Sequence, residues 1–353
     1  MEILDAVVIG AGQAGLSAAF HLARLGMSHV VLDADEAPGG AWQHRWDSLT
    51  MHDVHGIAAL PGSTAPGDSG LRANTVLPSY FSAYERVHAI PVVRPVAVDR
   101  VEDQDGLLVT RAADRSWTSR ALVNATGTWS HPFVPHYPGI ATFGGEQLHA
   151  ADYPGPEHFR GRRTLVVGGG ASAVQLLGEI APVTDTLWVT RRLPLWRTDD
   201  FTPEGGRAAV ALVEDRVRRG LPPASVVSVT GLALREQERE ASLLGAYERR
   251  PMFAEIQPDG VRWADGSTSR VDVILWATGF RPAVGHLAPL RLRSPHGGIQ
   301  LDGTTVVANP RVQLVGYGPS ASTIGANRAG RQAARGVAGR LTADRAEPVR
   351  DAG

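Results

Sequence analysis

Two glycine-rich turns constrain the fold of this 353-residue chain more than any other feature of its sequence. The first turn reads GAGQAG from Gly10 to Gly15, and the second reads GGGASA from Gly168 to Ala173. Each turn follows a short apolar segment typical of a strand buried on both faces of a parallel sheet, and each precedes a segment typical of a helix. The sequence therefore predicts an α/β fold with two Rossmann-like, three-layer domains.

The glycines of the first turn suit the binding of a dinucleotide. Gly10 permits a tight turn, Gly12 lets the backbone approach a pyrophosphate, and Gly15 allows close packing of the helix on the strand. The next predicted strand ends at Asp33, 18 residues after Gly15. A carboxylate at that place accepts a hydrogen bond from a ribose 2′-hydroxyl, so this turn predicts a site for FAD or NAD.

The second turn has an arginine where the first has an acid. Arg191 falls 18 residues after Ala173, and Arg192 follows it directly. An acid repels a 2′-phosphate, whereas an arginine binds one bidentately, so the second turn predicts an NADP site. An ordinary surface arginine is the alternative interpretation of both side chains. The predicted NADP contacts in this turn and strand are Gly168, Gly170, Ser172, Ala173, Arg191 and Arg192.

Other segments are expected to approach the two turns. The loop GGAW allows backbone to lie against a flat ligand, although its tryptophan can equally belong to the core. A strand predicted over residues 92–101 brings backbone near an adenine, and strands ending in ATG present glycine to a ligand in each half of the chain. A helix that begins near residue 324 points its positive end at a flavin carbonyl. The predicted FAD contacts from these segments are Gly40, Trp42, Val98, Thr126, Gly127, Ile324 and Gly325, and the NADP contacts are Thr278 and Gly279.

Composition excludes several classes of function. The net charge of −1 favours neither nucleic acid nor an anionic membrane, and no apolar run reaches the length of a membrane-spanning helix. The first residues lack a basic segment, so a cytoplasmic location is the expectation. The chain has no cysteine and no lysine, which excludes disulfides, thiolate metal sites, a dithiol relay and Schiff-base chemistry. His52 and His55 lack a third ligand at sensible spacing, so no metal site is predicted.

The second half of the chain repeats the plan of the first. A strand predicted over residues 312–316 and the helix after it return to the first unit. We therefore expect an FAD-binding domain formed by residues 1–138 and 284–353. An NADP-binding domain of residues 139–283 is inserted in it. Residues 221–250 show no pattern that assigns them to an element.

A third pattern lies just before the second turn. Phe143, Gly145, His149 and Tyr153 match FxGxxxHxxx(Y/F), the fingerprint of flavin-containing monooxygenases. With the two glycine turns and the two ATG strand ends, almost the whole chain resembles the single-chain flavin-dependent monooxygenases, including the plant YUCCA-type enzymes. Baeyer–Villiger enzymes carry tryptophan at the position of Tyr153, so the resemblance favours oxygenation of a heteroatom or carbon over ester formation.

The resemblance implies an activity and its cofactors. NADPH reduces FAD, oxygen adds at the flavin C4a atom, and the resulting hydroperoxide transfers one oxygen atom to a small organic substrate. It implies that the fingerprint belongs to the linker between the domains. His52 matches a histidine of the YUCCA-type pattern, and a catalytic role is carried over to it on that basis alone. The expected partners are a small-molecule substrate and O2, with no nucleic acid and no membrane, and a homodimer is a possibility.

Two other functions stay open from the sequence. One is an NADPH-dependent flavoprotein reductase or oxidase that does not oxygenate a substrate. The other is a regulator that binds nucleotides without catalysis.

Overall fold

The computed structural model describes residues 2–54, 57–197, 203–223, 231–232 and 234–346. The described helices are α1 Gln13–Arg24, α2 Ala73–Val87, α3 Ala171–Ile180, α4 Pro203–Arg218, α5 Glu236–Leu243 and α6 Thr323–Ala346. The strands of the first half are β1 Ile3–Ile9, β2 His29–Leu32, β3 Val92–Val93, β4 Arg100–Gln104, β5 Leu107–Ala112, β6 Arg115–Asn124, β7 Glu146–His149 and β8 Thr164–Val167. Those of the second half are β9 Thr186–Val189, β10 Arg249–Arg250, β11 Glu255–Gln257, β12 Gly260–Arg262, β13 Thr268–Arg270, β14 Val273–Trp276, β15 Leu301–Asp302, β16 Thr305–Val306 and β17 Val312–Leu314.

The chain divides into two compact units. Unit 1 consists of Met1–Thr128, Ala208–Val226 and Pro282–Gly353, and unit 2 consists of Trp129–Arg207 and Val227–Arg281. Within the described ranges, no helix is both long and apolar enough to cross a membrane.

Unit 1 is built on a nine-stranded sheet. Strands β3, β2, β1, β6 and β17 lie side by side in that order and are parallel, while β4, β5, β15 and β16 pair antiparallel at the margins. Ile9 lies opposite both Leu32 and Asn124, so β1, β2 and β6 end at one edge of the sheet. The loops after these three strands therefore lie at the carboxyl edge, where ligands bind in open α/β sheets.

The packing of α1 on α6 depends on small residues. A Cβ atom on Gly330 would lie 2.6 Å from Oγ of Ser17, so only glycine fits there. Ser17 Oγ in turn donates a hydrogen bond to the carbonyl oxygen of Asn327 at 3.1 Å. The contact holds the start of α6 against the first turns of α1, beside the loop that connects β1 to α1.

Unit 2 contains a parallel sheet of the same plan. Its strands lie in the order β10, β9, β8, β14 and β7, and a separate antiparallel sheet is formed by β11, β12 and β13. Val167 lies opposite Val189 and Trp276, and Trp276 lies opposite His149, so four strands end at one edge. Leu165 and Ile274 belong to the buried core between the sheet and its neighbours. The predicted fold class is confirmed.

Two predicted element boundaries are wrong. The strand predicted over residues 92–101 is two separate strands, β3 and β4, because Pro95 has no N–H to extend a ladder. The sequence also predicts a short helix over residues 79–89, but the helix spans Ala73–Val87 and carries Pro78 within it. Its amphipathic packing, with Leu77 and Phe81 buried, outweighs the hydrogen bond that Pro78 removes.

The second half of α4 packs in unit 1. Val217 is buried, and a Cβ atom on Gly318 would lie 2.7 Å from the Val217 side chain. Beyond the helix, Ser294 Oγ donates to the carbonyl oxygen of Gly220 at 2.6 Å. The range 139–283 predicted for the inserted domain thus contains a segment, 208–226, that belongs to unit 1 by its contacts.

Candidate dinucleotide-binding sites

The first glycine turn combines two crowded positions with one open position. Gly10 has φ +99°, and a Cβ atom on Gly15 would lie 1.9 Å from the carbonyl oxygen of Gly10. Gly12, by contrast, begins α1 as its N-cap, and a Cβ atom there would meet nothing within 4 Å. The start of α1 thus has open space beside Gly12, and the unpaired backbone N–H groups of a helix start are what binds a phosphate.

The GGAW loop lies against this turn. A Cβ atom on Gly40 would be 2.9 Å from Cα of Gly12, so the two backbones are in contact. Trp42 packs partly buried against the unit 1 core, and the guanidinium of Arg45 lies 5.5 Å from its ring centroid. Gly40 therefore contacts the backbone of the turn, while Trp42 packs at the edge of the core.

Asp33 follows β2 directly and its carboxylate is buried. Its Oδ2 atom accepts from Nε of Arg94 at 2.9 Å, and a backbone hydrogen bond from Ala11 also reaches the carboxylate. Burial raises the pKa of Asp33, and the Arg94 guanidinium acts in the opposite direction. Arg94 is itself held by Glu85 through two hydrogen bonds of 2.8 and 2.6 Å. The sequence did not predict Arg94 or Glu85 because both come from distant elements.

The strand end after β6 lies beside the first turn. The Ala125 N–H donates to the carbonyl oxygen of Ile9 at 2.8 Å. Thr126 Oγ1 accepts from Asn124 and donates to the Ala283 carbonyl oxygen at 2.6 Å, while a Cβ atom on Gly127 would meet open space. Thr126 thus fixes the loop that presents Gly127.

Three further predicted FAD contacts, Val98, Ile324 and Gly325, also belong to unit 1. Val98 lies between β3 and β4 and packs partly buried against a core cluster of unit 1, outside any strand. The Gly325 N–H, near the start of α6, donates to Ser322 Oγ at 3.1 Å. The side chain of Ile324 lies outside the described part of the structure, and its backbone belongs to α6.

The second glycine turn has the same distribution of crowded and open positions. Gly168 has φ +149°, and a Cβ atom there would lie 2.2 Å from the carbonyl oxygen of Ala277. A Cβ atom on Gly170, the N-cap of α3, would meet nothing within 4 Å. Ala173 is fully buried at the place that Gly15 has in the first turn, and Ser172 is half-buried in the first turn of α3.

The register of the sheet changes one sequence-based correspondence. Gly10 N–H donates to Leu32, and Gly168 N–H donates to Val189, so the residues after these, Asp33 and Thr190, occupy equivalent positions. Counting residues from the turns had instead matched Asp33 with Arg191. The stretch from the first glycine of the turn to the residue after the strand is one residue shorter in unit 2 (Gly168 to Thr190) than in unit 1 (Gly10 to Asp33), which spacing alone does not reveal.

Arg191 and Arg192 follow this position and are exposed. In the described part of unit 2, no hydrogen bond or ion pair engages either guanidinium group. Both groups are therefore available to an anionic ligand beside the strand end.

The fingerprint residues secure the edge strand β7 in unit 2. A Cβ atom on Gly145 would lie 2.4 Å from the carbonyl oxygen of Asp272 and 2.5 Å from the ring of Phe143. The Tyr153 hydroxyl is buried and donates to Oε2 of Glu179 at 3.0 Å. Burial and the neighbouring carboxylate raise the pKa of Tyr153, so it stays a neutral donor.

His149 connects β7 to the second ATG segment. Its Nδ1 atom accepts from the Ala151 N–H and its Nε2 atom donates to the Gly279 carbonyl oxygen, both at 3.0 Å. The same carbonyl accepts from the Phe133 N–H, and the hydroxyl of Thr278 donates to the Phe133 carbonyl oxygen. The two partners of His149 require the neutral ring with its proton on Nε2.

We expect His149 to make stability fall in mild acid. Burial lowers the pKa of His149 below its ordinary value of 6.5, so the unfolded chain takes up its proton first as pH falls. This contribution to stability is complete above pH 6.5 and is lost as pH falls from 6.5 through the folded-state pKa. Urea unfolding at a series of pH values should show a smaller loss of unfolding free energy for His149→Gln than for the wild type.

The matched control for that measurement is the exposed His136, since His136→Gln removes a histidine without disturbing a buried hydrogen bond. Its acid dependence should match that of the wild type. Equal acid dependence in the wild type and His149→Gln would contradict a neutral, buried role for His149.

The predicted catalytic histidine lies on an exposed loop of unit 1. His52 Nδ1 lies 2.5 Å from Oδ1 of Asp68, and the two side chains are 60% and 74% exposed. His55 lies outside the described residues. Among the residues that the structure describes, no three histidine, aspartate or glutamate side chains are grouped as a metal site would require.

Comparison with known proteins agrees with this geometry. The family described as "Pyridine nucleotide-disulphide oxidoreductase" matches residues 7–206. The chain is 26% identical to the uncharacterized oxidoreductase CzcO of Bacillus velezensis, over 78% of this chain and 81% of that protein. It is also 26% identical to the indole-3-pyruvate monooxygenase YUCCA4 of Oryza sativa subsp. japonica, over 80% of this chain and 76% of that protein.

A solved structure extends the likeness to the whole fold. The flavin-containing monooxygenase from Stenotrophomonas maltophilia superposes with a TM-score of 0.83 at 37% identity, covering 97% of this chain and 100% of that one. With two glycine turns of the same geometry and the fingerprint on β7, the chain belongs to the flavin-containing monooxygenase family, within the pyridine nucleotide-disulphide oxidoreductases.

Proposed function

We propose that this protein is an NADPH- and FAD-dependent monooxygenase that inserts one oxygen atom of O2 into a small organic substrate. The observation that carries the proposal is the pair of open glycine positions, Gly12 and Gly170, each at the start of a helix. Crowded glycines hold the backbone of each turn in place, so a phosphate can approach without a change in the fold.

The residues around each glycine turn suit one cofactor. In unit 1, Gly12 and the first turn of α1 would hold the FAD pyrophosphate, and Asp33 would accept from its ribose. In unit 2, Gly170 and α3 would hold the NADPH pyrophosphate, with the exposed Arg191 and Arg192 beside the 2′-phosphate. Opposite charges at the two strand ends support a division of the two dinucleotides between the units.

The chain itself contributes binding and orientation to this reaction. Bound FAD supplies the redox and oxygen-activating chemistry, and NADPH supplies the electrons. Backbone N–H groups at the helix starts neutralise phosphate charge, and neutral His149 holds the Gly279 loop through a hydrogen bond of 3.0 Å. The sequence contains no cysteine, so a dithiol relay built from its own residues is excluded although the wider family is described by disulphide chemistry.

The purified protein tests the proposal. It should carry or take up yellow FAD, bleach on addition of NADPH under nitrogen, and regain the oxidised spectrum in air. A screen of amines, sulfides, ketones and indolic or keto acids should then find a substrate that increases oxygen uptake. The oxygenated product should form in proportion to the NADPH consumed, with little hydrogen peroxide.

The alternative reductase or oxidase gives a different result. In that case NADPH consumption would yield an equal amount of hydrogen peroxide for every compound in the screen. A chain that takes up no flavin would exclude both enzymes. Sedimentation of the purified protein tests separately whether it forms a homodimer.

A further inference from the structure

Thr190 occupies the position in unit 2 that Asp33 occupies in unit 1. The Asp33 N–H donates to the Val93 carbonyl oxygen on β3, and the Thr190 N–H donates to the Arg250 carbonyl oxygen on β10. Thr190 is 1% exposed, so its hydroxyl is bonded inside the protein and does not project into solvent. The exposed cations at this strand end, Arg191 and Arg192, therefore follow Thr190 by one and two residues.

Arg249 holds Thr190 at two atoms. Its Nε atom donates to Thr190 Oγ1 at 2.9 Å, and one terminal nitrogen donates to the Thr190 carbonyl oxygen at 2.8 Å. Thr190 Oγ1 in turn donates to the carbonyl oxygen of Arg192 at 2.5 Å. A continuous chain of hydrogen bonds thus leads from the Arg249 guanidinium to the backbone that carries Arg191 and Arg192.

The planar guanidinium makes this arrangement specific. Its fixed fork satisfies a hydroxyl and a carbonyl of one residue together, which a lysine ammonium on a flexible stem does not reproduce. Exposed arginine side chains are mobile, and ordering them costs free energy when a ligand binds. A fixed backbone beneath Arg191 and Arg192 reduces that cost.

We propose that Arg249 is a positioning residue for cofactor discrimination, which acts through Thr190 to hold Arg191 and Arg192 where a 2′-phosphate binds. This inference rests on the proposed use of NADPH. It assigns a specific role to a residue in the stretch 221–250, whose sequence shows no recognisable motif.

The test compares two fragments that differ in one phosphate, 2′,5′-ADP and 5′-ADP. Calorimetric titration of the FAD-loaded protein gives both dissociation constants. Arg249→Leu should weaken 2′,5′-ADP binding by roughly 10-fold and change 5′-ADP binding by less than about 2-fold, since a tenfold loss corresponds to about one lost hydrogen bond. Arg262→Leu is the matched control, because Arg262 also lies in unit 2 but pairs with Glu255 at 2.9 Å on the separate antiparallel sheet.

A double-mutant cycle distinguishes positioning from direct contact. Thr190→Val removes the hydroxyl acceptor of Arg249 at nearly constant volume and leaves the carbonyl acceptor, whereas Thr190→Ser keeps both. If Arg249 acts through Thr190, adding Thr190→Val to Arg249→Leu should cause no further loss of discrimination beyond that of Arg249→Leu alone. Additive losses, or restored discrimination in Arg249→Lys, would mean that Arg249 binds the phosphate directly and would overturn the proposal.

The remaining outcomes also test the positioning role of Arg249. If the wild type binds both fragments equally, the proposed NADPH preference fails, and this inference fails with it. If the wild type discriminates and both Arg249→Leu and Thr190→Val do so equally well, only the positioning role is overturned. If Arg249→Leu does not fold, comparison of Thr190→Val with Thr190→Ser gives the same decision.

Discussion

Replacing Gly12 with alanine is expected to weaken FAD binding by roughly 100-fold, equivalent to about 2.7 kcal/mol, without loss of the fold. The new methyl group would meet no protein atom within 4 Å, so the cofactor-free chain accommodates it. It would occupy the space through which a pyrophosphate reaches the first turn of α1. Flavin fluorescence titration gives the affinity, and urea unfolding of the cofactor-free protein should stay within about 1 kcal/mol of wild type.

Gly15→Ala provides the matched contrast. Its methyl group would lie 1.9 Å from the carbonyl oxygen of Gly10, so the backbone itself must move. We expect a loss of about 3 kcal/mol or more in unfolding free energy, together with lost FAD binding. If Gly12→Ala bound FAD normally, or destabilised the cofactor-free protein as much as Gly15→Ala, the open space at Gly12 would not be the phosphate site.

Replacing both Arg191 and Arg192 with alanine is expected to raise the dissociation constant for NADPH by roughly 10- to 100-fold. Each charge-assisted hydrogen bond to a phosphate contributes about 1.5–3 kcal/mol, and both guanidinium groups are exposed at the strand end. NADH lacks the 2′-phosphate, so its dissociation constant should change by less than about 3-fold. Rapid-mixing measurement of flavin reduction under nitrogen gives both constants.

The glycine at the start of α3 in the same unit provides the control for that experiment. Gly170→Ala fills the open space at the start of α3 and should weaken NADPH and NADH alike, because both carry the pyrophosphate. Arg191 and Arg192 would have no role in phosphate recognition if their loss weakened the two cofactors equally.

Local sequence patterns were sufficient to predict most of the fold. The two strand–turn–helix–strand units were predicted because buried strands, glycine turns and helices each have local signatures. Elements whose stability depends on packing were predicted less well. The sequence predicts a short helix only from Ser79, yet the buried Leu77 and Phe81 belong to a longer helix that begins at Ala73 and includes Pro78.

The residues of the two candidate sites divide in the same way, into those that local sequence predicts and those that it does not. The sequence predicts separate roles for Gly10, Gly12 and Gly15. Backbone geometry restricts Gly10 and Gly15 to glycine, whereas the reason for glycine at Gly12 is the predicted approach of a phosphate. Arg94 and Arg249, which hold the two strand ends, were not predicted. Each lies about 60 residues from its partner along the chain, at separations of 61 and 59 residues, and no sequence pattern marks an arginine that makes such a contact.

The sequence by itself determined the class of fold, the two dinucleotide turns and the family, because these depend on local backbone geometry and on residue spacing. Only the tertiary structure decided which residues stand at the strand ends. The shorter stretch from turn to strand end in unit 2 gives Thr190 the position of Asp33, to which counting from the turns assigns Arg191. Hydrogen bonds between neighbouring strands fix that register, and they join residues whose separation along the chain carries no information about their contact.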